Sequence, residues 1–163
     1  MKLAHGVLFA VLAAASPAAA QDGLSDREVV TALERAGLAP EDSSDDTGQS
    51  WTATVRTPNG AEVTAFVRPY DCSDATGLCR AFTIFANFST PGGVPDELKE
   101  AVNTYNDTHV RGRAYALSEQ LGVDYLMIAD GSARTEYLVR RLGEYGTVLD
   151  DFLAVMREAL PEE

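Results

Sequence analysis

Several features are missing from this chain of 163 residues, and each absence closes off a class of function. No C-x-x-C pair is present, so a thioredoxin-like redox centre has no motif to rest on. No G-x-S-x-G elbow occurs, and no EF-hand alternation of acids with a closing glutamate. Histidine appears only at His5 and His109, and cysteine only at Cys72 and Cys79, too few ligands for a structural zinc site. Positive charge is scarce: 13 lysines and arginines face 25 aspartates and glutamates, for a formal charge of −12. Such a surface repels nucleic acid phosphates and anionic lipid headgroups while keeping the chain soluble. The longest apolar run, GVLFAVLAAA at 6–15, is only half of the roughly 20 residues that a membrane-spanning helix needs.

What is present begins at the amino terminus. Lys2, the short apolar run and the small residues of SPAAA have the pattern of a secretory signal peptide over residues 1–20, cleaved after Ala20. The absence of a cysteine at that point argues against a lipoprotein. The expected location is therefore periplasmic or extracellular, with no membrane anchor. Removal of twenty residues from 163 leaves 143, enough for one domain over 21–163 and hardly enough for two. It also removes Lys2 and His5, which takes the charge from −12 to −13 and leaves Lys99 and His109 as the single lysine and histidine.

Both cysteines lie in YDCSDATGLCRAF, residues 70–82. In an exported chain an even cysteine count points to disulfides. A Cys72–Cys79 bond closes a ring of eight residues, worth about 2.5 kcal/mol on loop entropy.

Ser25 and Glu28 read as a capping box ahead of Val29, Val30, Leu33 and Ala36, predicting a helix over 25–37 that ends at Gly37. The acidic stretch APEDSSDDTGQ follows and reads as a solvated loop. Asp42, Asp45, Asp46 and Gly48 there invite a calcium reading, but the ligand spacing is wrong. Alternation in SWTATVRT and AEVTAFVRP around the turn PNG predicts a hairpin, and RAFTIFANF, with Phe82, Ile84, Ala86 and Phe88 on one face, predicts a third strand. The bond would thus clip a hairpin loop. Gly92, Gly93 and Pro95 introduce a second helix with Leu98, Ala101, Val102 and Tyr105 on one face. GRAYALS and VDYLMIAD predict two more strands joined through Gly122. Leu138, Leu142, Tyr145, Leu149, Phe152 or Leu153, Met156 and Leu160 mark a closing helix of about six turns. Gly143 and Gly146 inside it permit close approach to a sheet. The order α-β-β-β-α-β-β-α predicts an α+β domain, an antiparallel sheet of about five strands covered by helices on one face.

CRAFTIFANF, then VNTYNDTHVRGRAY, then an apolar strand and a long closing helix, resemble the YbjN domain family, described as bacterial sensory transduction regulators. The resemblance spans about 25–158. It is sharpest at Asn103, Tyr105 and Asn106, followed by Arg113, Ala114 and Tyr115. It implies a fold similar to the acidic chaperones of type III secretion and a non-enzymatic adaptor, chaperone-like or regulatory role. The export signal and the cysteine pair depart from the family pattern, and an exported copy cannot touch cytoplasmic regulators directly. A protein or peptide partner is expected, with basic small proteins, cationic peptides and a second copy of the chain among the candidates. No cofactor is expected.

Catalysis by a Ser-His-acid set would have to combine His109 with Ser118 and Asp107 or Asp124, yet a histidine in DTHVR reads more naturally as part of a connecting turn. Carboxylate pairs for glycoside hydrolysis are too abundant among 25 acids to single out any, and Lys99 reads as a solvated helix residue. Asn103, Tyr105, Asn106, Arg113 and Tyr115 carry two readings. Clustered amides, a guanidinium and a phenol can bind a carboxylate or a peptide backbone, making the segment a small-ligand sensor. The same amides can cap backbone groups at the helix end or tie it to the next strand. The amides are expected to be mainly structural, and Arg113 the contact residue.

Overall fold

The computed structural model describes residues 23–46, 48–129 and 134–160. The predicted signal peptide and its cleavage point lie outside them.

Helix α1, Asp26–Arg35, starts at Ser25. The Glu28 carboxylate reaches back to accept from the Ser25 backbone N–H at 2.8 Å and from its hydroxyl at 2.7 Å, which occupies donors that a helix start otherwise leaves free. Val29, Ala32 and Leu33 turn into the core. Gly37, at φ +82°, adopts the left-handed conformation that follows a helix end.

Six antiparallel strands follow in space as β1-β2-β3-β4-β6-β5: β1 Glu41–Asp42, β2 Trp51–Arg56, β3 Glu62–Cys72, β4 Cys79–Ser89, β5 Arg113–Ala116 and β6 Gln120–Ile128. The sheet thus has six strands where alternation predicts five. The extra one, β1, falls in the acidic stretch read as loop, and both its residues are exposed. Backbone pairing of Glu41 with Thr52 and Asp42 with Trp51 creates it, so it leaves no hydrophobic trace. Just beyond, the Asp42 carboxylate accepts from the Ser44 backbone N–H and hydroxyl.

Period-two alternation sorts every main strand onto two faces. Trp51, Ala53, Val55, Ala65, Val67, Phe82, Ile84, Ala86, Val123, Tyr125 and Met127 are buried on one face. Helices α2, Asp96–Thr108, and α3, Arg134–Glu158, join α1 in covering that face. Leu98, Ala101, Val102 and Tyr105 of α2 are buried, as their spacing predicts. Along α3 the buried row runs Leu138, Leu142, Tyr145, Leu149, Phe152 and Met156, while Leu160 lies past the helix end and is half exposed. Gly146 allows close approach: a Cβ there would stand 2.8 Å from the Arg56 carbonyl oxygen. Gly143 does not, since a Cβ there would meet nothing within 4 Å.

Cys72 and Cys79 are bonded and sit directly opposite in the β3–β4 register. Cys79 also exchanges two backbone hydrogen bonds with Leu24, at 2.8 and 3.0 Å. The bond therefore holds the hairpin end to which Leu24, just ahead of α1, is docked. Gly122 is not the β5–β6 connection. The turn is Leu117 to Gln120, closed by the Leu117 N–H on the Gln120 carbonyl at 2.7 Å, and Gly122 lies inside β6.

Candidate functional site

The segment 103–115 does not converge on one site. It divides among three places. Asn106, on the last turn of α2, donates its amide to the Ala114 carbonyl at 3.0 Å and accepts from the Ala114 N–H at 2.9 Å. Its side chain thereby stands where a neighbouring strand would pair with β5. Tyr105 is fully buried, and its hydroxyl donates to the Arg111 carbonyl at 3.0 Å. Burial, with Asp151 nearby, pushes that phenol up to about 12, so it remains a neutral donor. Asn103, one turn earlier, is exposed. It lines a cleft of about 810 Å³ between α2 and the β5–β6 turn, beside Lys99 and Ser118. Lys99 pairs with Asp96 at 2.8 Å.

Arg113 and Tyr115 point the other way, onto the face of the sheet that no helix among the described residues covers. Arg113 binds Asp124 at 2.5 Å. That hydrogen bond and the adjacent charge hold the guanidinium above its ordinary pKa. The carboxylate side chain is only 14% exposed, so without Arg113 it would be a poorly solvated charge with no ion pair. Tyr115 lies across β6 and donates to the Asn87 side-chain oxygen on β4 at 2.5 Å. Gly122 makes that crossing possible. A Cβ there would stand 2.7 Å from the Tyr115 hydroxyl and 2.4 Å from the Ala86 carbonyl oxygen. Burial first, and then Asp124, raise the Tyr115 phenol to about 12.

The same face carries residues that spacing alone does not flag. Register aligns Phe66, Phe85, Asp124 and Arg113 in one row across β3, β4, β6 and β5. Phe66 and Phe85 stack with centroids 5.4 Å apart and planes 19° from parallel. The Arg68 guanidinium lies over Phe85 at 5.8 Å. Tyr70, Leu117, Leu126 and Ile128 are exposed around them, the last two at 56% and 55%. Arg68, Tyr70, Phe85, Arg113, Tyr115 and Asp124 line a shallow depression of about 500 Å³. Sequence offers one hint of this surface: large aromatic or aliphatic residues at the outward positions of strands whose inward positions are already apolar.

His109 stacks on Tyr105 with centroids 4.4 Å apart, and its Nδ1 lies 2.9 Å from the Thr108 hydroxyl and 3.2 Å from the Tyr105 carbonyl oxygen. Ser118 and Asp124 belong to other surroundings, the α2 cleft and the Arg113 pair, so the Ser-His-acid set is not assembled. Among the described residues no group of three or more histidine, cysteine or acidic side chains is placed to hold a metal ion, and no helix is long and apolar enough to cross a membrane.

Comparison with curated proteins finds no match. The family model of YbjN, described as "Putative bacterial sensory transduction regulator", matches residues 25–158, from the cap of α1 to the last residue of α3. That span takes in nearly all of the described fold, and the family is described as a regulator, not as an enzyme. The chain belongs to the YbjN family.

Proposed function

We propose that this protein is an exported regulatory domain that acts by binding a protein or peptide on the helix-free face of its sheet and catalyses no reaction of its own. One observation carries the reading: the stacked Phe66–Phe85 pair shares with exposed Leu117, Leu126 and Ile128 a face that no helix among the described residues covers. A contiguous apolar patch of this kind on a folded surface marks an interaction site. The signal-peptide pattern of residues 2–20 supports export, and the Cys72–Cys79 bond suits an oxidising compartment.

A photo-crosslinking amino acid at Leu126 tests this, with a control at Thr31, which is exposed on α1. Irradiation of the native host should give a discrete crosslinked species from position 126 and none from position 31. Crosslinking from Thr31 alone would move the partner to the helical side. Mass analysis of the same preparation should find a chain starting at Gln21; an intact Met1 would remove the export part of the reading. His109→Ala should leave the cellular phenotype unchanged.

A further inference from the structure

We infer that the depression on the helix-free face is a carboxylate subsite, filled by one aspartate or glutamate side chain of an otherwise apolar, non-acidic polypeptide segment. This rests on the face being a binding surface and adds what the surface selects.

Three charges line the depression: Arg68, Arg113 and Asp124. Arg113 and Asp124 are engaged with each other at 2.5 Å. Arg68 is left over. It has no carboxylate partner among the described residues, although acids outnumber bases by 25 to 13 along the chain. Its Cζ lies 5.8 Å from the centre of the Phe85 ring, which is itself stacked on Phe66. A guanidinium carries its N–H groups along its edges, through which it takes a carboxylate by two parallel hydrogen bonds. Contact with the Phe85 ring uses none of these donors as an ion pair would. Tyr70 and Thr83 stand at the same depression with hydroxyls that can bind the outer oxygen.

The rest of the molecule restricts what can bring that carboxylate. With a formal charge of −12, the protein repels a strongly acidic partner at long range, whereas Arg68 acts only within about a Debye length, roughly 8–10 Å in physiological salt. A neutral or basic chain with one local acid satisfies both conditions. Exposed Leu117, Leu126 and Ile128 supply apolar seats beside the depression, so large apolar residues should flank the acid.

The test is selection from a phage-displayed random peptide library against the protein purified from cells expressing the full chain. Parallel selections use Arg68→Gln, Arg68→Lys and Leu126→Asp. Wild type should enrich peptides with one aspartate or glutamate beside large apolar residues. The best of them should bind Arg68→Gln about tenfold or more weakly, as loss of a charge-assisted pair predicts. Changing that peptide's acid to its amide should cost the same on wild type and nothing further on Arg68→Gln. The amide peptide leaves the protein untouched, so it decides the matter even if Arg68→Gln is unstable. Peptides lost on Leu126→Asp but indifferent to their acid would overturn the subsite and keep the binding face. Peptides indifferent to both Leu126→Asp and Arg68→Gln, or no enrichment, would overturn both.

Discussion

The two faces of this sheet are cut from the same strands, yet they solve different problems. On the covered face Phe82, Ile84 and Met127 are fully buried, with no exposure at all, and three helices complete the layer. On the open face Phe85 and Leu126 occupy the alternate positions of the same two strands, and here the large side chains are held by one another and by Arg68 rather than by a second layer. The covered face is arranged for stability. The open face keeps apolar area in water, which folding alone gives no reason to do. Placing the proposed binding surface back to back with a core lets the core fix its backbone, so the exposed side chains are presented on a rigid platform.

Substitutions three residues apart on β4 can break that contrast. Phe82→Ala empties a filled position and should cost about 3–5 kcal/mol. Its outward counterpart Phe85→Ala should cost only about 1 kcal/mol, the worth of an aromatic pair, while partner crosslinking at position 126 is lost. Equal costs in chemical denaturation would show that the open face is a second core. Next in size is the disulfide at the strand ends that both faces share. Cys72→Ser together with Cys79→Ser should lower stability by about 2.5 kcal/mol and leave a folded domain by circular dichroism. Selective loss of binding at unchanged melting temperature would tie the bond to the open face instead.

A smaller effect separates the two asparagines at the α2 edge. Asn106→Ala strands both backbone groups of Ala114 and should cost about 1–3 kcal/mol, whereas Asn103→Ala, exposed at the cleft, should leave the melting temperature unchanged. A reversed order would make the cleft the structural element. The smallest effect is in acid. Hydrogen bonds from the Ser25 backbone, then from its hydroxyl, hold the Glu28 carboxyl below its usual 4.5. A folded-state pKa below the unfolded one adds stability that is present above about pH 4.5 and lost as pH falls through the folded value. Ser25→Ala removes the hydroxyl bond and keeps the backbone one, so it should cost about 0.5 kcal/mol near neutrality and lessen, without abolishing, the acid slope of the melting profile. Open-face variants should leave that limb unchanged.

The element order, the buried faces of α2 and β4 and the cysteine pair were legible because each writes a periodic or compositional mark into the chain. β1 was not, since two exposed acids paired through backbone alone leave no pattern. Gly122 was misread as a turn because glycine signals either a bend or a close approach, and only the path of Tyr115 over β6 tells which. Asn106 was legible as an amide beside a helix end, but its partner, Ala114, depends on how α2 lies along β5. Arg68 was invisible as a candidate. It reaches the surroundings of Arg113 only through the order of four strands, and one arginine in a strand has no spacing to betray it.

The Asn106–Ala114 pair has one more consequence, for self-association. A sheet edge with free N–H and C=O groups invites another copy to add as a further strand, the route to swapped dimers and fibrils. Here the doubly acidic β1 covers only Trp51 and Thr52 of β2, while at the other border the four-residue β5 has Ala114 already paired by a side chain imitating a neighbouring strand. The β5 border is blunted. Addition of a further copy as a strand is thereby disfavoured at the β5 border, which leaves the proposed open face rather than the strand edge as the surface for association.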